Sequence, residues 1–147
     1  MDLILWRHAE AEDGLEDLER ALTKRGRRQA KRMAEWLRPR LAGEWRILSS
    51  PAKRALQTVK PLALPYDVRD ALGTGAGPQA ILREAGWPGA GASVVIVGHQ
   101  PTLGQVAARL VGAASEISIK KGAIWWFASR GGGEATLRAV LNPDLLD

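Results

Sequence analysis

The sequence predicts an α/β fold: a three-layer sandwich in which helices flank a mostly parallel central sheet. Short apolar runs alternate with amphipathic helical segments through most of the 147 residues, which is the pattern of such sandwiches. Two of these runs, at residues 3–6 and 94–97, lead directly into a histidine, His8 or His99. Because no internal repeat or linker interrupts the pattern, we expect one domain over residues 1–147.

The first half of the chain predicts two strands and two helices. Residues 3–7 form a buried strand, and the acidic residues 9–22 lack periodicity. Thr23 is the expected N-cap of a helix that runs to about residue 38, where Pro39 stops it. Its apolar stripe at i, i+3, i+4 and i+7 is Ala30, Met33, Ala34 and Leu37. After a strand at 46–49, Ser50-Pro51 predicts a helix start with Arg54 in its first turn.

The second half continues the alternation. A short strand near 66–68 and a short helix over 78–85 precede a Gly/Pro turn at 87–91. The strand that ends in His99 comes next, and Gln100-Pro101 opens another helix. A strand at 123–128, a turn of three glycines at 131–133 and a returning strand at 135–141 complete the chain.

Composition excludes several classes of site. The sequence has no cysteine, so disulfides, thiolate metal sites and a cysteine nucleophile are excluded. The first apolar run is too short for a signal peptide and no segment is long enough to span a bilayer, so we expect a cytoplasmic protein. The net charge of +5 is concentrated in residues 20–40, where nine basic residues face one acid, Glu35.

Four basic side chains are predicted to meet at one edge of the sheet: Arg7, His8, Arg54 and His99. In open α/β sheets the carboxyl ends of parallel strands and the helix starts that follow them form the ligand crevice. Guanidinium groups match phosphoryl oxygens. No aspartate cluster is present to hold magnesium, and two histidines alone are poor zinc ligation, so we expect a site without metal or other cofactor. His8 suits the nucleophile, because neighbouring Arg7 can hold the phosphoryl oxygens.

Four motifs in order resemble the histidine phosphatase superfamily, which has the phosphoglycerate mutase-like fold. They are Arg7-His8-Ala9-Glu10-Ala11, Leu22-Thr23-x-x-Gly26, Ser49-Ser50-Pro51-x-x-Arg54-Ala55-x-Gln57-Thr58 and Gly98-His99-x-Pro101. The resemblance implies that His8 is the phosphorylated nucleophile and that Arg7, Arg54 and His99 bind phosphate. Thr23 and Gly26 are expected to be structural, as a cap and a turn. Ala9 replaces the commoner glycine of the first motif.

The spacing of the motifs resembles the small SixA-type phosphohistidine phosphatases. Larger members insert a helical lid between the second arginine and the second histidine, but only residues 55–98 separate Arg54 from His99. The resemblance therefore implies an open site that acts on phosphohistidine of a signalling or phosphocarrier protein. An imidazole leaving group, with a pKa of roughly 6.5, needs little acid catalysis. Glu10 and Asp70 are nevertheless candidate general acids.

Two other functions stay open at this point. One is a phosphatase for small-molecule phosphate esters. The other is a basic nucleic-acid-binding module that uses residues 20–40, although the chain lacks an aromatic-basic RNA motif and a C₂H₂ pattern. We expect a phosphoprotein partner rather than nucleic acid or a membrane. This partner would dock on Arg25, Arg28 and Arg32, which lie opposite the apolar stripe of their helix and should be exposed together.

Overall fold

The computed structural model describes residues 1–89, 91–130 and 134–146. In chain order the elements are β1 (Asp2–Arg7), α1 (Lys24–Leu37), β2 (Trp45–Ser49), α2 (Lys53–Val59), β3 (Asp67–Val68), α3 (Pro78–Ala85), β4 (Ser93–Gly98), α4 (Thr102–Val111), β5 (Ile124–Ala128) and β6 (Thr136–Leu141). Short 3₁₀ turns at Asp17–Glu19 and Asp70–Leu72 lie in the connections that follow β1 and β3.

The strands form one sheet in the order β3-β2-β4-β1-β5-β6. The pairs β3-β2, β2-β4 and β4-β1 are parallel, and β5 and β6 add an antiparallel edge. In the register of β1 with β4, Arg7 lies opposite Gly98. The two strands that lead to His8 and His99 are therefore direct neighbours, which confirms the mostly parallel sheet.

Alternate residues of β1 build two cores, one on each face of the sheet. Leu3 and Leu5 pack with the apolar faces of α3 and α4, whereas Ile4 and Trp6 pack with those of α1 and α2. All four side chains are 0% exposed. A strand buried on both faces has no polar alternation, which is why the sequence shows a continuous apolar run. The three-layer sandwich is confirmed.

Helix α1 forms as the sequence predicts. The Thr23 hydroxyl oxygen accepts a hydrogen bond from the Gly26 N–H at 2.9 Å, which satisfies one of the unpaired donors of the first turn. The whole predicted apolar stripe is buried, and the chain leaves the α-helix at Leu37, two residues before Pro39. Gly26 lies inside the helix rather than in a turn, so that part of the prediction is wrong.

Helix α2 begins at Lys53 and not at Pro51. The Ser50 hydroxyl accepts a hydrogen bond from the Ala52 N–H at 3.1 Å, so it closes a local turn and does not cap a helix that starts at Pro51. Arg54 still lies in the first turn of α2. The predicted glycine turn at 131–133, and residue 90 of the turn at 87–91, lie outside the described residues.

The connection from Arg54 to His99 contains the rest of α2, then β3, α3, β4 and short turns. Its described part, which lacks only residue 90, contains no inserted helical subdomain over the sheet edge, as the spacing predicts. Within the same described ranges, no helix combines the length and the apolar character needed to cross a membrane.

Candidate active site

The two histidines of the chain meet where β1 and β4 end. Their ring centroids are 5.2 Å apart, and the rings are inclined by 50°. The His8 N–H donates to the Gly98 carbonyl at 3.1 Å, which extends the β1-β4 ladder by one residue. His8 is 6% exposed and His99 is 4% exposed. The sheet therefore holds two imidazoles side by side in a nearly buried position.

The hydrogen bond of His8 determines which ring nitrogen is available for chemistry. Nδ1 lies 2.8 Å from the Ala9 carbonyl oxygen. Because a carbonyl oxygen only accepts, Nδ1 carries the proton in the neutral ring and Nε2 keeps its lone pair. Burial lowers the pKa of His8 to about 3. The Ala9 hydrogen bond acts in the opposite direction, and the charges of His99, Arg54 and Arg7 lower the pKa further. His8 is thus a neutral imidazole with Nε2 as its basic atom.

His99 is oriented by Ser50. Its Nε2 lies 2.7 Å from the Ser50 hydroxyl oxygen, which already accepts the Ala52 N–H. Among the described residues the Ser50 hydroxyl has no other acceptor for its proton, so it donates to Nε2, and Nδ1 carries the ring proton. Burial, followed by the charge of Arg54, lowers the pKa of His99 to about 4. The neutral ring therefore presents an N–H at Nδ1.

Both arginines donate to backbone carbonyls, and the Nε–H of each is left without a partner among the described residues. Arg7 Nη1 donates to the Ile119 carbonyl at 2.8 Å. Arg54 Nη1 donates to the Asp17 carbonyl at 2.7 Å, and its Nη2 donates to the Asp17 carboxylate at 3.2 Å. Burial and the charge of Arg54 lower the pKa of Arg7. Neither Nε has a partner among the described residues.

Unpartnered donors are concentrated in this cluster. Four buried side-chain polar atoms lack a hydrogen-bond partner within the described ranges, and three of them are Arg7 Nε, Arg54 Nε and His99 Nδ1. A buried donor without an acceptor costs about 1–3 kcal/mol. Unpartnered N–H groups on three residues of this cluster fit an anion with several acceptor oxygens, such as a phosphoryl group.

The residues of the other motifs support this pocket from behind. The Ala9 N–H donates to Thr58 Oγ1 at 3.0 Å, and the Thr58 hydroxyl donates to the Arg54 carbonyl at 2.7 Å. Thr58 therefore ties the loop after His8 to the helix that carries Arg54. A Cβ on Gly26 would lie 2.0 Å from the Glu10 carbonyl oxygen, so close packing of helix against loop requires glycine at this position.

Of the two candidate general acids, Glu10 is half-buried and Asp70 is exposed. The Glu10 carboxylate accepts a hydrogen bond from the Thr23 hydroxyl at 2.7 Å, and its Oε1 lies 3.9 Å from Arg25 Nη1. Asp70 begins the 3₁₀ turn after β3. Neither carboxylate forms a hydrogen bond with His8 or His99 in the described part of the chain. Their roles as acids stay predictions.

Sequence reasoning missed two residues that contact the pocket. Ser50 was predicted only as a helix cap, and its place immediately after a buried strand was the signal that it faces the sheet edge. Asp17 was not distinguished from the other acids of residues 9–22, because no local pattern marks which of them contacts Arg54. Within the described residues, no group of three or more histidine, cysteine or acidic side chains is placed to hold a metal ion.

A basic groove leads away from the pocket. Arg7 lines it together with Arg25, Lys120 and Lys121, and the acidic residues Glu10 and Asp144 also line it. Arg25 also lines a second, adjoining groove with Arg28 and Arg32. All three arginines of α1 are exposed, as predicted, whereas the part of Lys120 and Lys121 was not anticipated.

Comparisons with known proteins agree with this geometry. The model of the histidine phosphatase superfamily (branch 1) matches residues 3–73. An uncharacterised Mycobacterium tuberculosis protein, Rv1276c, is 34% identical over 105 residues, which cover 69% of this chain and 66%, just under two thirds, of that protein. The protein histidine phosphatase SixA complexed with tungstate is 26% identical, with a TM-score of 0.87 and 100% of both chains covered. A Nakamurella multipartitia structure, provisionally assigned as phosphohistidine phosphatase SixA, is 30% identical, with a TM-score of 0.83 and 97% of this chain and 95% of its own covered.

Proposed function

The chain belongs to the histidine phosphatase superfamily, and from that premise we propose that it is a phosphatase that dephosphorylates phosphohistidine on a signalling or phosphocarrier protein. His8 is the proposed nucleophile. The observation that carries the proposal is the set of three unpartnered N–H donors, Arg7 Nε, Arg54 Nε and His99 Nδ1, around a neutral imidazole. They supply hydrogen-bond donors for the phosphoryl oxygens, on which negative charge is stabilised in the transition state.

In the first step the Nε2 lone pair of His8 attacks phosphorus. A P–N bond forms to His8 as the P–N bond to the substrate imidazole breaks. The departing imidazole takes a proton from solvent, and the negative charge on the phosphoryl oxygens is shared among the three donors. The Nδ1–H of His8 remains on the Ala9 carbonyl and keeps the ring in the attacking orientation.

In the second step water attacks the phosphorus of phospho-His8. The P–Nε2 bond breaks, inorganic phosphate leaves, one proton of the attacking water is released to solvent, and the imidazole returns to its neutral state. A phosphohistidine substrate needs no positioned acid, because imidazole is a good leaving group once it is protonated. A serine or sugar phosphate would need one, and Glu10 and Asp70 are the proposed candidates for that role.

The open edge of the sheet supports a protein substrate. A phosphorylated side chain must bring its own domain to the pocket, and no helical subdomain covers the described edge between α2 and β4. The similarity to two SixA structures at 26% and 30% identity supports the same substrate class. Small phosphate esters are the alternative that the substrate experiment below decides.

The basic grooves support an acidic partner. Arg25 lines both grooves, one with Arg7 and the other with Arg28 and Arg32, and the basic side chains of the two grooves outnumber their acidic ones, Glu10 and Asp144. Such charge accelerates association with a partner of opposite charge and is screened beyond about 8 Å at physiological salt. We propose that this surface orients an acidic phosphotransfer or phosphocarrier domain.

The test is a panel of proteins phosphorylated on histidine, aspartate or serine, together with an aryl phosphate, scored for phosphate release. We expect the highest kcat/KM for phosphohistidine. Rapid quench with labelled substrate should trap an acid-labile, base-stable phosphoryl group on His8, and His8→Ala should abolish turnover while remaining folded. Preference for the small ester would favour the alternative, and label on serine would overturn the mechanism.

A charge reversal tests the docking face. Changing Arg25, Arg28 and Arg32 to glutamate should lower kcat/KM for the phosphoprotein and flatten its salt dependence, while aryl phosphate turnover stays nearly normal. The matched control reverses three exposed basic residues that line a different groove, Arg27, Lys31 and Lys60. Equal losses in both triple variants would show that only net charge matters, which contradicts a defined docking face.

A further inference from the structure

The acidic loop between β1 and α1 places a carboxylate on the buried arginine of the pocket. Asp17 accepts two hydrogen bonds from Arg54, one at its backbone carbonyl from Nη1 at 2.7 Å and one at Oδ2 from Nη2 at 3.2 Å. The Arg54 side chain is 6% exposed and that of Asp17 is 54% exposed. The loop therefore reaches from the surface to a group that the mechanism needs.

The loop is built so that Asp17 has a defined position. Its base is closed by an isolated antiparallel bridge between Ala11 and Leu22 and by a hydrogen bond from the Glu12 N–H to the Ala21 carbonyl at 2.8 Å. Across the loop, Arg20 donates through Nη1 to Asp17 Oδ1 at 3.3 Å and through Nε to the Glu12 carbonyl at 3.0 Å. The two carboxylate oxygens of Asp17 thus bridge Arg20 and Arg54.

The contact occupies one side of the Arg54 guanidinium and leaves the other available. A guanidinium presents five N–H groups in a rigid planar fork. Asp17 uses one donor on Nη1 and one on Nη2, whereas Nε is buried and has no partner among the described residues. A bidentate acceptor such as a phosphoryl group can then take Nε and the remaining N–H of Nη2.

We infer that Asp17 is a positioning residue, which fixes the rotation of Arg54 so that its Nε edge faces the phosphoryl group attacked by His8. This inference rests on the proposed phosphatase chemistry. Because the fork is planar, holding Nη1 and Nη2 also determines the direction of Nε. The carboxylate also keeps the guanidinium paired in the unliganded enzyme. Without this partner, the buried arginine would rotate toward a different hydrogen-bond acceptor.

The test compares Asp17→Ala, Asp17→Asn and the matched control Glu19→Ala, which removes a carboxylate from the same 3₁₀ turn. With an aryl phosphate, we expect Asp17→Ala to lower kcat and kcat/KM together by about 10–100-fold, as losses of partners that orient a site residue do. Asp17→Asn should recover most of the activity, because its amide oxygen can still accept from Nη2. Glu19→Ala should behave as the wild type.

A double-mutant cycle separates positioning from a purely structural effect. In an Arg54→Ala background, Asp17→Ala should cause no further loss, since the group that it orients is absent. Vanadate should also bind more weakly to Asp17→Ala than to the wild type. Tighter vanadate binding, or faster turnover, would show that Asp17 competes with phosphate and would overturn the inference. If the wild type itself turned over no phosphorylated substrate, the proposed function and not the role of Asp17 would be contradicted.

Discussion

Acid should destabilise this protein through its two histidines, at a pH where carboxylates are still ionised. The folded-state pKa of His8 is lowered to about 3 and that of His99 to about 4, whereas both groups titrate near 6.5 in the unfolded chain. Between those values the unfolded state binds protons that the folded state does not. Their stabilising contribution is therefore complete above about pH 6.5 and is lost as the pH falls toward the folded-state pKa values.

The size of the effect follows from linkage. From pH 7.5 to pH 5.0 each histidine should remove about 2 kcal/mol of the free energy of unfolding, or about 4 kcal/mol for the two together. This window depends little on the folded-state values, provided that both lie well below pH 5. Aspartate and glutamate titrate mostly below it, so their contribution is small.

The measurement is urea denaturation at pH 7.5 and 5.0, with free energies obtained by linear extrapolation. The control is the double variant His8→Gln, His99→Gln, which keeps every other titratable group. Between the two pH values its free energy of unfolding should fall by about 4 kcal/mol less than that of the wild type, and by about 2 kcal/mol less in each single variant. Equal falls in wild type and double variant would refute the buried, neutral histidines on which the mechanism depends.

Three further outcomes follow from the site. Alanine at Arg7, Arg54 or His99 should remove one pocket donor. Each change should cost on the order of 2.7–4 kcal/mol of transition-state stabilisation, measured from kcat/KM, if these groups act like oxyanion-hole donors. Activity should persist in a chelator, and vanadate or tungstate should inhibit by filling the pocket, whereas strict magnesium dependence would contradict a metal-free reaction. Gly26→Ala should lower stability by about 1–3 kcal/mol in a thermal melt, because its Cβ would meet the Glu10 carbonyl at 2.0 Å, while Gly75→Ala, with open space around it, should not.

Hydrogen-bond geometry within the site can also be measured directly, since the chain has only two histidines. Long-range ¹H–¹⁵N spectra of the unliganded protein should show two neutral rings near neutral pH. His8 and His99 should both carry the proton on Nδ1, as their contacts with Ala9 and Ser50 require. A proton on Nε2 of His8 would leave no lone pair at the attacking atom and would contradict the proposed first step.

Much of the architecture could be predicted because it is encoded locally. The Thr23 cap and the apolar stripe that ends at Leu37 describe a helix without reference to the rest of the chain. Continuous apolar runs before His8 and His99 indicate strands buried on both faces, and parallel strands deliver their ends to one edge. The meeting of the two histidines was therefore predictable.

Residue type and spacing were enough to predict that the two arginines and the two histidines come together, whereas their protonation and their hydrogen-bond partners depend on tertiary packing. The neutral state of His8 comes from burial beneath layers that only the folded chain assembles. The contact of Arg7 with the Ile119 carbonyl joins residues 112 positions apart, and that of Arg54 with Asp17 joins residues 37 apart. No periodicity records such contacts, because they depend on where a loop comes to rest and not on its composition. The physical reason is that residue type and spacing are local properties, whereas desolvation and hydrogen-bond direction belong to the three-dimensional environment.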